Sequence, residues 1–240
     1  MRRFYATKEQ FKDDEIRLAE DETRHLRDVL RLGAGEEIRV FDGRGGEFQA
    51  LIVSIGKKVA LLQKIRAVEP ASPESPAAIT LAPAILKGEK FELVIQKSVE
   101  LGIAGLTPTF SARTEVKARD AAKRIDRWRK IALEATKQSG RATLMGIDEP
   151  IDFAALVRNA VSRSSKIMFA EKGGDIFADL SGAKDITALI GPEGGWEKSE
   201  IEWARDAGFS IVTFGGRILR AETAAIVVGT ILQHRFGDLN

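Results

Sequence analysis

The chain has 240 residues, of which 44% are hydrophobic and 30% charged, and its formal net charge is +2. This composition is ordinary for a globular protein and unlike that of a disordered or membrane-spanning chain. With no cysteine, the chain can form neither a disulfide framework nor a thiolate metal site, and its two histidines have no zinc or Ser-His-Asp motif beside them. The opening MRRFYATKEQF has no apolar run behind its arginines, so we expect no signal peptide and a cytoplasmic location.

A small β domain is predicted near the start of the chain. Residues 36–66 contain short, partly alternating apolar segments separated by the turn signals DGRGG and GKK, a pattern typical of an antiparallel sheet or barrel. Ahead of them, Asp21 and Gly33 are the expected ends of a helix. Its inward face is predicted to carry Leu26, Val29 and Leu30. Its other face offers Arg24, His25, Arg27 and Arg31.

A proline-rich stretch then separates two regions with different sequence patterns. EPASPESPA, residues 69–77, carries three prolines, which disfavour a regular helix or a central strand. We therefore expect a domain at residues 1–70, a linker at residues 71–77 and a second domain at residues 78–240. In the second domain, strand-like runs such as ITLAPAIL, KIMFA, ITALI and SIVTF are mostly separated by helical patterns. This alternation favours an α/β fold with a parallel sheet covered by helices.

Three late strands each run directly into a glycine pair, in the segments EKGG, GPEGG and GGRIL. Ligands of open parallel sheets lie beyond the carboxyl ends of the strands, so we expect these loops to gather around one pocket. Glycine can also simply end a strand, which would explain any one of the loops. The GPEGGW segment lacks both the phosphate-loop and the dinucleotide-binding patterns, so a nucleoside-like ligand such as S-adenosylmethionine fits it better than a polyphosphate.

Several motifs together resemble one known family. GPEGGWEKSEI and FGGRILRAETAA, with KGEKFELVIQKSVELGI, RWRKIALEATKQSGR and HLRDVLRLGAGEEIRVFDGRGGEFQA, closely resemble the bacterial 16S ribosomal RNA uridine-N3 methyltransferases. The resemblance spans nearly the whole chain. It implies an N-terminal PUA-like β-barrel followed by a C-terminal α/β-knot (SPOUT) domain whose end threads a trefoil knot. Because chains generally avoid knots, the sequence pattern alone does not predict this topology.

The resemblance also implies a cofactor, a substrate and a set of site residues. The cofactor is S-adenosylmethionine, the substrate is a uridine in the decoding region of the small ribosomal subunit, and the protein is a homodimer. No metal is expected, since a sulfonium is already an activated methyl donor. The implied cofactor-binding residues are Ala170, Leu189, Gly191, Pro192, Glu193, Gly194, Phe214, Gly215, Ile218, Leu219, Arg220 and Thr223.

The family tends to carry a Val-Pro pair where this chain has Leu144-Met145. Near the cofactor motif, two further positions depart from the family pattern, which usually has a Leu-Gly pair at Phe214-Gly215 and a polar or larger residue at Gly216. We therefore expect the wall of the pocket to differ there.

Methylation at N3 of uracil needs removal of the N3 proton and stabilisation of charge on the ring carbonyl oxygens. Arg220 is the first candidate for the second task and Arg113 the second. Glu222 could orient Arg220 through a charge-assisted hydrogen bond, or act as the general base. Equally, Glu222 could be a helix residue without catalytic duty, favoured by the positive end of the helix dipole.

N3 lies on the Watson–Crick edge of the base, so a paired uridine must be unpaired or flipped and the RNA must be held. The candidates for phosphate contact in the first domain are Arg2, Arg3, Arg24, His25, Arg27 and Arg31. A second basic surface is possible between Arg113 and Arg141, although part of it could be only a solvated helix face. The final helix, AETAAIVVGTILQHRF, is apolar enough to be either deeply buried or part of a subunit contact.

Two other functions remain open from the sequence. One is a noncatalytic RNA-binding protein that assists ribosome assembly, against which the intact GPEGG and LRAET motifs argue. The other is a dinucleotide-dependent oxidoreductase, which fits the α/β alternation but lacks the glycine fingerprint.

Overall fold

The computed structural model describes residues 2–160, 165–175 and 183–239. The chain forms two compact units, which are Met1–Glu74 with Thr136–Leu144, and Ser75–Ala135 with Met145–Asn240. In the part of the chain that is described, no helix is both long and apolar enough to cross a membrane.

Residues 136–144 belong to the first unit, although the sequence-based division left them in the second domain. Long-range ion pairs hold them there. Lys137 pairs with Glu22, and the guanidinium of Arg141 donates to Glu74 at 2.6 Å. Such contacts join positions far apart in sequence, so no local sequence pattern predicts them.

The first unit is built on one six-stranded sheet. Its strands are β1 (Arg3–Tyr5), β2 (Phe11–Lys12), β3 (Glu15–Leu18), β4 (Glu37–Phe41), β5 (Glu47–Ile55) and β6 (Ala60–Val68). They lie in the order β1-β4-β5-β6-β3-β2, with β1 and β4 parallel and the other neighbours antiparallel. Alternate residues such as Ile38 and Val40 face the core, as the period of a strand requires. Two register shifts between β5 and β6 bend this sheet, because an extra residue on one strand increases its local twist.

Two short helical segments lie between these strands, a 3₁₀ helix at Lys8–Gln10 and α1 (Glu20–Arg24). Helix α1 continues directly into a π-helical turn at His25–Val29. Asp21 was expected to cap this helix, but the N-cap is Ala19 and Asp21 lies in the first turn.

Val29 was also expected to face inward, and the structure leaves 65% of it exposed, whereas Leu26 is buried. The π turn explains the difference. The amide of Leu30 donates to the carbonyl of His25, five residues back, so the turn holds an extra residue and rotates Val29 outward.

The second unit contains a six-stranded parallel sheet and a separate pair of strands. Its strands are β7 (Ala78–Pro83), β8 (Gly105–Leu106), β9 (Thr109–Phe110), β10 (Gly146–Ile147), β11 (Ile151–Asp152), β12 (Ser165–Phe169), β13 (Asp185–Ile190) and β14 (Ser210–Val212). The large sheet has the order β10-β8-β7-β13-β12-β14, and β9 pairs with β11. The helices that follow α1 in the chain are α2 (Lys90–Glu100), α3 (Ala118–Ala122), α4 (Ile125–Ser139), α5 (Phe153–Asn159), α6 (Lys198–Asp206) and α7 (Ala221–Phe236).

Both faces of the large sheet are covered, which explains why its strands read as continuous apolar runs. On β12, Ile167 packs in one core with residues of α2 and α7, and Met168 packs in another with residues of α5 and α6. The predicted parallel sheet covered by helices is therefore confirmed. The apolar α7 is buried along one face, through Ala225, Val228 and Leu232.

Candidate functional site

The three glycine loops of the second unit meet at one edge of the parallel sheet. Strands β13, β12 and β14 are neighbours and run parallel, so their carboxyl ends lie together. The loops that follow them, the start of α7 and Lys90 line a cleft of about 580 Å³. The expectation that these loops gather around one pocket is confirmed.

The GPEGG loop after β13 is shaped by its glycines. A Cβ at Gly191 would stand 3.0 Å from the indole Nε1 of Trp196, so a side chain at this position would have to push the indole ring aside. The Trp196 indole N–H in turn donates to the carbonyl of Phe169 at 2.9 Å. Gly195 has a φ of +69°, a left-handed conformation that favours glycine, and its amide donates to the carbonyl of Pro192. The loop therefore turns tightly over the tryptophan and leaves its backbone open to a ligand.

Arg113 supports the same loop from a position outside the cleft lining. Its Nη1 donates to the carbonyl of Gly194 at 2.8 Å, and its Nε lies 3.8 Å from a carboxylate oxygen of Glu197. These contacts place the guanidinium on the backbone of the loop. They make Arg113 a residue that shapes the cleft.

Part of the cleft lining is apolar and aromatic. The rings of Phe169 and Phe214 stack with their centroids 4.9 Å apart and their planes at 28°. Ile190 and Val228 continue this surface. A concave site of this kind, with an apolar floor and a few polar groups, is typical of binding sites for small organic ligands.

The rim of the cleft carries charges of both signs, on Lys90, Glu171, Lys172, Glu193, Arg217, Arg220 and Glu222. Arg220 is the N-cap residue of α7 and is exposed. Glu222 is half-buried, and its Oε2 is buried without a hydrogen-bond partner among the described residues. A buried carboxylate oxygen without a donor is unusual, because unpaired buried polar groups are destabilising.

In the described residues, no group of three or more His, Asp or Glu side chains is arranged to hold a metal ion.

The cleft can be compared with known proteins. A family profile for an RNA methyltransferase domain matches residues 73–233, and one for an RNA methyltransferase PUA domain matches residues 18–65. The ribosomal RNA small subunit methyltransferase E of Buchnera aphidicola is 34% identical over 222 residues, which cover 91% of this chain and 87% of that protein. The chain belongs to the ribosomal RNA small subunit methyltransferase E family.

Solved structures of two relatives agree with this membership. The crystal structure of the Neisseria gonorrhoeae ribosomal RNA small subunit methyltransferase E, bound to S-adenosyl methionine, is 34% identical with a TM-score of 0.91 and covers 100% of both chains. A putative methyltransferase of Legionella pneumophila in complex with the bound cofactor is also 34% identical, with a TM-score of 0.90 and a coverage of 99% and 98%. The fold of this family member is thus a PUA-like barrel unit followed by an α/β-knot unit.

Most of the cofactor-site residues that the resemblance implied lie in the cleft lining, which includes Ala170, Gly191, Pro192, Glu193, Phe214, Ile218, Leu219 and Arg220. Leu189 differs, because it is fully buried in the core with residues of α5 and α6. Gly194, Gly215 and Thr223 are exposed beside the cleft without lining it.

The two departures from the family pattern near the cofactor motif lie in the loop after β14. Phe214 supplies the ring that stacks on Phe169. Gly216 has a φ of +87°, and a Cβ there would meet nothing within 4 Å. The glycine at this position is therefore explained by backbone conformation and not by crowding.

Sequence reasoning missed several residues of the cleft, including Lys90, Glu171 and Trp196. Trp196 directly follows GPEGG, so its place could have been found from the loop alone. Lys90 follows β7, the parallel neighbour of β13, and its helix begins at the same edge of the sheet. The sheet order, which the sequence pattern does not give, was needed to bring Lys90 to the site.

In the first unit, most of the candidate RNA contacts are at the surface. Arg2, Arg24, His25 and Arg31 are exposed. Arg27 is half-buried and donates to the carbonyls of Gly56 and Lys57. It also pairs with Asp28, and the hydrogen bonds from Arg27 hold the pKa of the Asp28 carboxyl below its ordinary value.

Arg3 is the exception among these candidates. Its side chain is only 10% exposed, and it donates to both carboxylate oxygens of Glu47 and to the carbonyls of Thr136, Lys137 and Arg141. These hydrogen bonds match the donor capacity of a guanidinium, so no donor is left for a phosphate. To bind a phosphate, as the sequence analysis predicted, Arg3 would have to give up hydrogen bonds that it makes inside its own unit.

Proposed function

We propose that this chain transfers a methyl group from S-adenosylmethionine to N3 of a uridine in the 16S ribosomal RNA of the small subunit. Membership of a family whose relatives are named for small-subunit RNA methylation supports the RNA class. The observation that carries the proposal is the cleft in which three glycine loops meet beside Glu222 and its unpartnered carboxylate oxygen.

The cleft fits the cofactor. Its volume of about 580 Å³ lies within the range of pockets that enclose small organic ligands. Gly191 and Gly195 leave the backbone of the GPEGG loop without side chains, and Ile218 and Leu219 line the facing loop, so both loops can bind the ligand through backbone groups. The Phe169 and Phe214 pair offers an aromatic floor. When bound, S-adenosylmethionine supplies a methyl group activated as a sulfonium substituent.

The groups of the chain can then prepare the uracil ring. Oε2 of Glu222, buried and without a donor, is the proposed acceptor of the N3 proton. As the N–H bond breaks, its electron pair stays on the ring and negative charge spreads to the carbonyl oxygens. Arg220, exposed at the start of α7, is the proposed donor that stabilises this charge. The electron pair of N3 would form the new N–CH3 bond as the bond between that methyl carbon and sulfur breaks, with the electron pair of the broken bond returning to sulfur to leave a neutral thioether.

Other residues have supporting roles in this proposal. Arg113 positions the GPEGG loop through the carbonyl of Gly194. Arg2, Arg24, His25, Arg27 and Arg31 of the first unit bind RNA phosphates, which position the substrate without specifying its sequence.

We also propose that the protein acts as a homodimer through α7. Ile226, Val227 and Ile231 are half-buried and supplement its buried face, so this helix presents more apolar surface than one contact needs. Light scattering should give twice the mass of one chain. A monomeric mass at micromolar concentration would contradict this part of the proposal.

The test of the function is transfer of labelled methyl from S-adenosylmethionine to small ribosomal subunits, with the labelled nucleotide mapped. The wild type should label N3 of one uridine. Arg220→Ala should lower the rate at saturating cofactor by about 100-fold or more, because a donor to the developing charge is lost. Arg205→Ala, at an exposed position on α6 outside the cleft lining, is the matched control.

The outcomes separate the competing functions. Cofactor binding without any label in the RNA would favour a noncatalytic assembly protein. Label on another atom or on another kind of nucleotide would refute the assignment to uracil N3.

A further inference from the structure

Lys90 lines the cleft from the first residue of α2, a different element from the three glycine loops and α7. Its Nζ lies 3.1 Å from Oε1 of Glu193, the glutamate of GPEGG, and both side chains are partly exposed, at 42% and 35%. The pair thus stands at the mouth of the cleft, where it is open to solvent. Neither the glycine motifs nor the chemistry proposed above gives this lysine a role.

Local stability does not explain a lysine here. The N-terminus of a helix carries partial positive charge, so a cation in the first turn is unfavourable and acidic residues are preferred. An ion pair that is this exposed contributes little to stability, because solvent screens it. Lys90 therefore lies where the helix dipole disfavours a cation, and its ion pair with Glu193 adds too little stability to offset this.

The opposite wall of the cleft is also cationic. Arg217 and Arg220 are exposed in the loop that leads into α7, and neither has an ion pair among the described residues. A uracil that enters the cleft to present N3 leaves the phosphates of its nucleotide at the mouth. Lysine is a good phosphate partner as a flexible point charge.

We infer that Lys90 binds a phosphate of the target nucleotide, with Glu193 as its partner when RNA is absent; this rests on the proposed function. The RNA chain then passes across the cleft between Lys90 on one wall and Arg217 and Arg220 on the other. In this proposal Glu193 positions the Lys90 ammonium in the absence of RNA, and the phosphate replaces Glu193 as its partner when RNA binds. Two simpler roles for Lys90 are to neutralise Glu193 or to tether the GPEGG loop.

The test compares Lys90→Ala, Lys90→Arg, Glu193→Gln and the double variant Lys90→Ala/Glu193→Gln. Affinity for small ribosomal subunits is measured without cofactor across a range of salt concentrations. Affinity for S-adenosylmethionine is measured separately. Lys97→Ala is the matched control, because Lys97 lies on the same helix, pairs with Glu100 and is outside the cleft lining.

A phosphate contact predicts that Lys90→Ala binds the subunits about three- to tenfold more weakly and that its log–log salt slope becomes shallower by about 0.7 to 0.9. Lys90→Arg should keep the slope. The double variant should stay weak, since removing Glu193 does not restore a lost contact. Because Lys90 stands at the mouth of the cleft, Lys90→Ala should change the affinity for S-adenosylmethionine less than the affinity for the subunits.

Each simpler role predicts a different result. If Lys90 only neutralises Glu193, the double variant regains wild-type affinity, and the inference is overturned. If Lys90 only tethers the loop, Lys90→Ala and Glu193→Gln both lose cofactor affinity and the salt slope does not change, which also overturns it. Methyl transfer by the wild type is measured in parallel. If the wild type transfers no methyl group, the proposed function fails, and this result is distinct from the RNA affinities that test the role of Lys90.

Discussion

Gly191 lies against the indole ring of Trp196, so close that a Cβ at position 191 would stand 3.0 Å from Nε1. The same indole N–H bonds to the carbonyl at the end of β12. Trp196 therefore ties the GPEGG loop to the neighbouring strand, and the glycine lets the loop pass over it. This contact fixes the backbone that lines the cleft.

Gly191→Ala should weaken cofactor binding. The added methyl must displace the Trp196 ring, and overpacking of this kind costs about 1–3 kcal/mol, or roughly 5- to 150-fold in Kd. Calorimetric titration with S-adenosylmethionine measures the change. Gly146→Ala is the control, because a Cβ there meets its nearest atom only at 3.9 Å and lies outside the cleft lining. An unchanged Kd for Gly191→Ala would show that the loop does not hold the cofactor.

Glu222→Gln should abolish proton removal while keeping the shape of the side chain. We expect the rate at saturating substrates to fall by about 100- to 10,000-fold, the usual contribution of a general base. Glu202→Gln, at an exposed position on α6, is the control.

The alternative for Glu222 is a helix residue favoured by the dipole of α7. In that case the variant would lose a little stability and keep its rate within a few-fold. The single-turnover rate and the unfolding midpoint together decide between the two roles.

Arg113→Ala should act on cofactor binding and not on the chemical step. The side chain donates to the carbonyl of Gly194 from an exposed position, so its loss should cost about 0.5–1.5 kcal/mol, or roughly 2- to 10-fold in the Kd of S-adenosylmethionine. The rate at saturating cofactor should be nearly unchanged, and Arg119→Ala serves as the control. A large loss of rate with an unchanged Kd would instead make Arg113 the catalytic arginine.

The parts of the site that the sequence predicted are those fixed by local chemistry. A strand that ends in a glycine pair defines a loop, and parallel strands bring their carboxyl ends to one edge, so the gathering of the three loops follows from short motifs. Whether β13, β12 and β14 would be neighbours does not follow from those motifs. The knotted topology came from family resemblance, because general rules of chain connection disfavour it.

The parts that could not be predicted depend on long-range contacts or on small changes of backbone geometry. One extra residue in the turn at His25–Val29 was enough to move Val29 from the core to solvent. Lys90 enters the cleft only because β7 lies beside β13. The burial of the Glu222 oxygen depends on the side chains packed around it, and the spacing of residues in the sequence does not predict that packing.

Arg3 provides the last prediction, because its hydrogen bonds inside the first unit leave no donor for the phosphate contact that the sequence suggested. Its partner Glu47 is fully buried, and removing one member of a buried ion pair typically costs about 3–5 kcal/mol. Arg39 lies 3.6 Å from the same carboxylate and should compensate in part. Arg3→Met should therefore lower the unfolding free energy of the first unit by about 3 kcal/mol.

Urea unfolding of this unit can be followed through the amide NMR signals of β4 and β5, because the three tryptophans of the chain all lie in the second unit and would dominate its near-ultraviolet spectrum. Arg17→Met, which removes an exposed ion pair with Glu15, should change stability by less than about 1 kcal/mol. The salt slope of RNA binding should be the same in Arg3→Met and wild type, since a buried guanidinium releases no counterions from RNA. A shallower salt slope of RNA binding in Arg3→Met, with unchanged stability, would show that Arg3 contacts RNA.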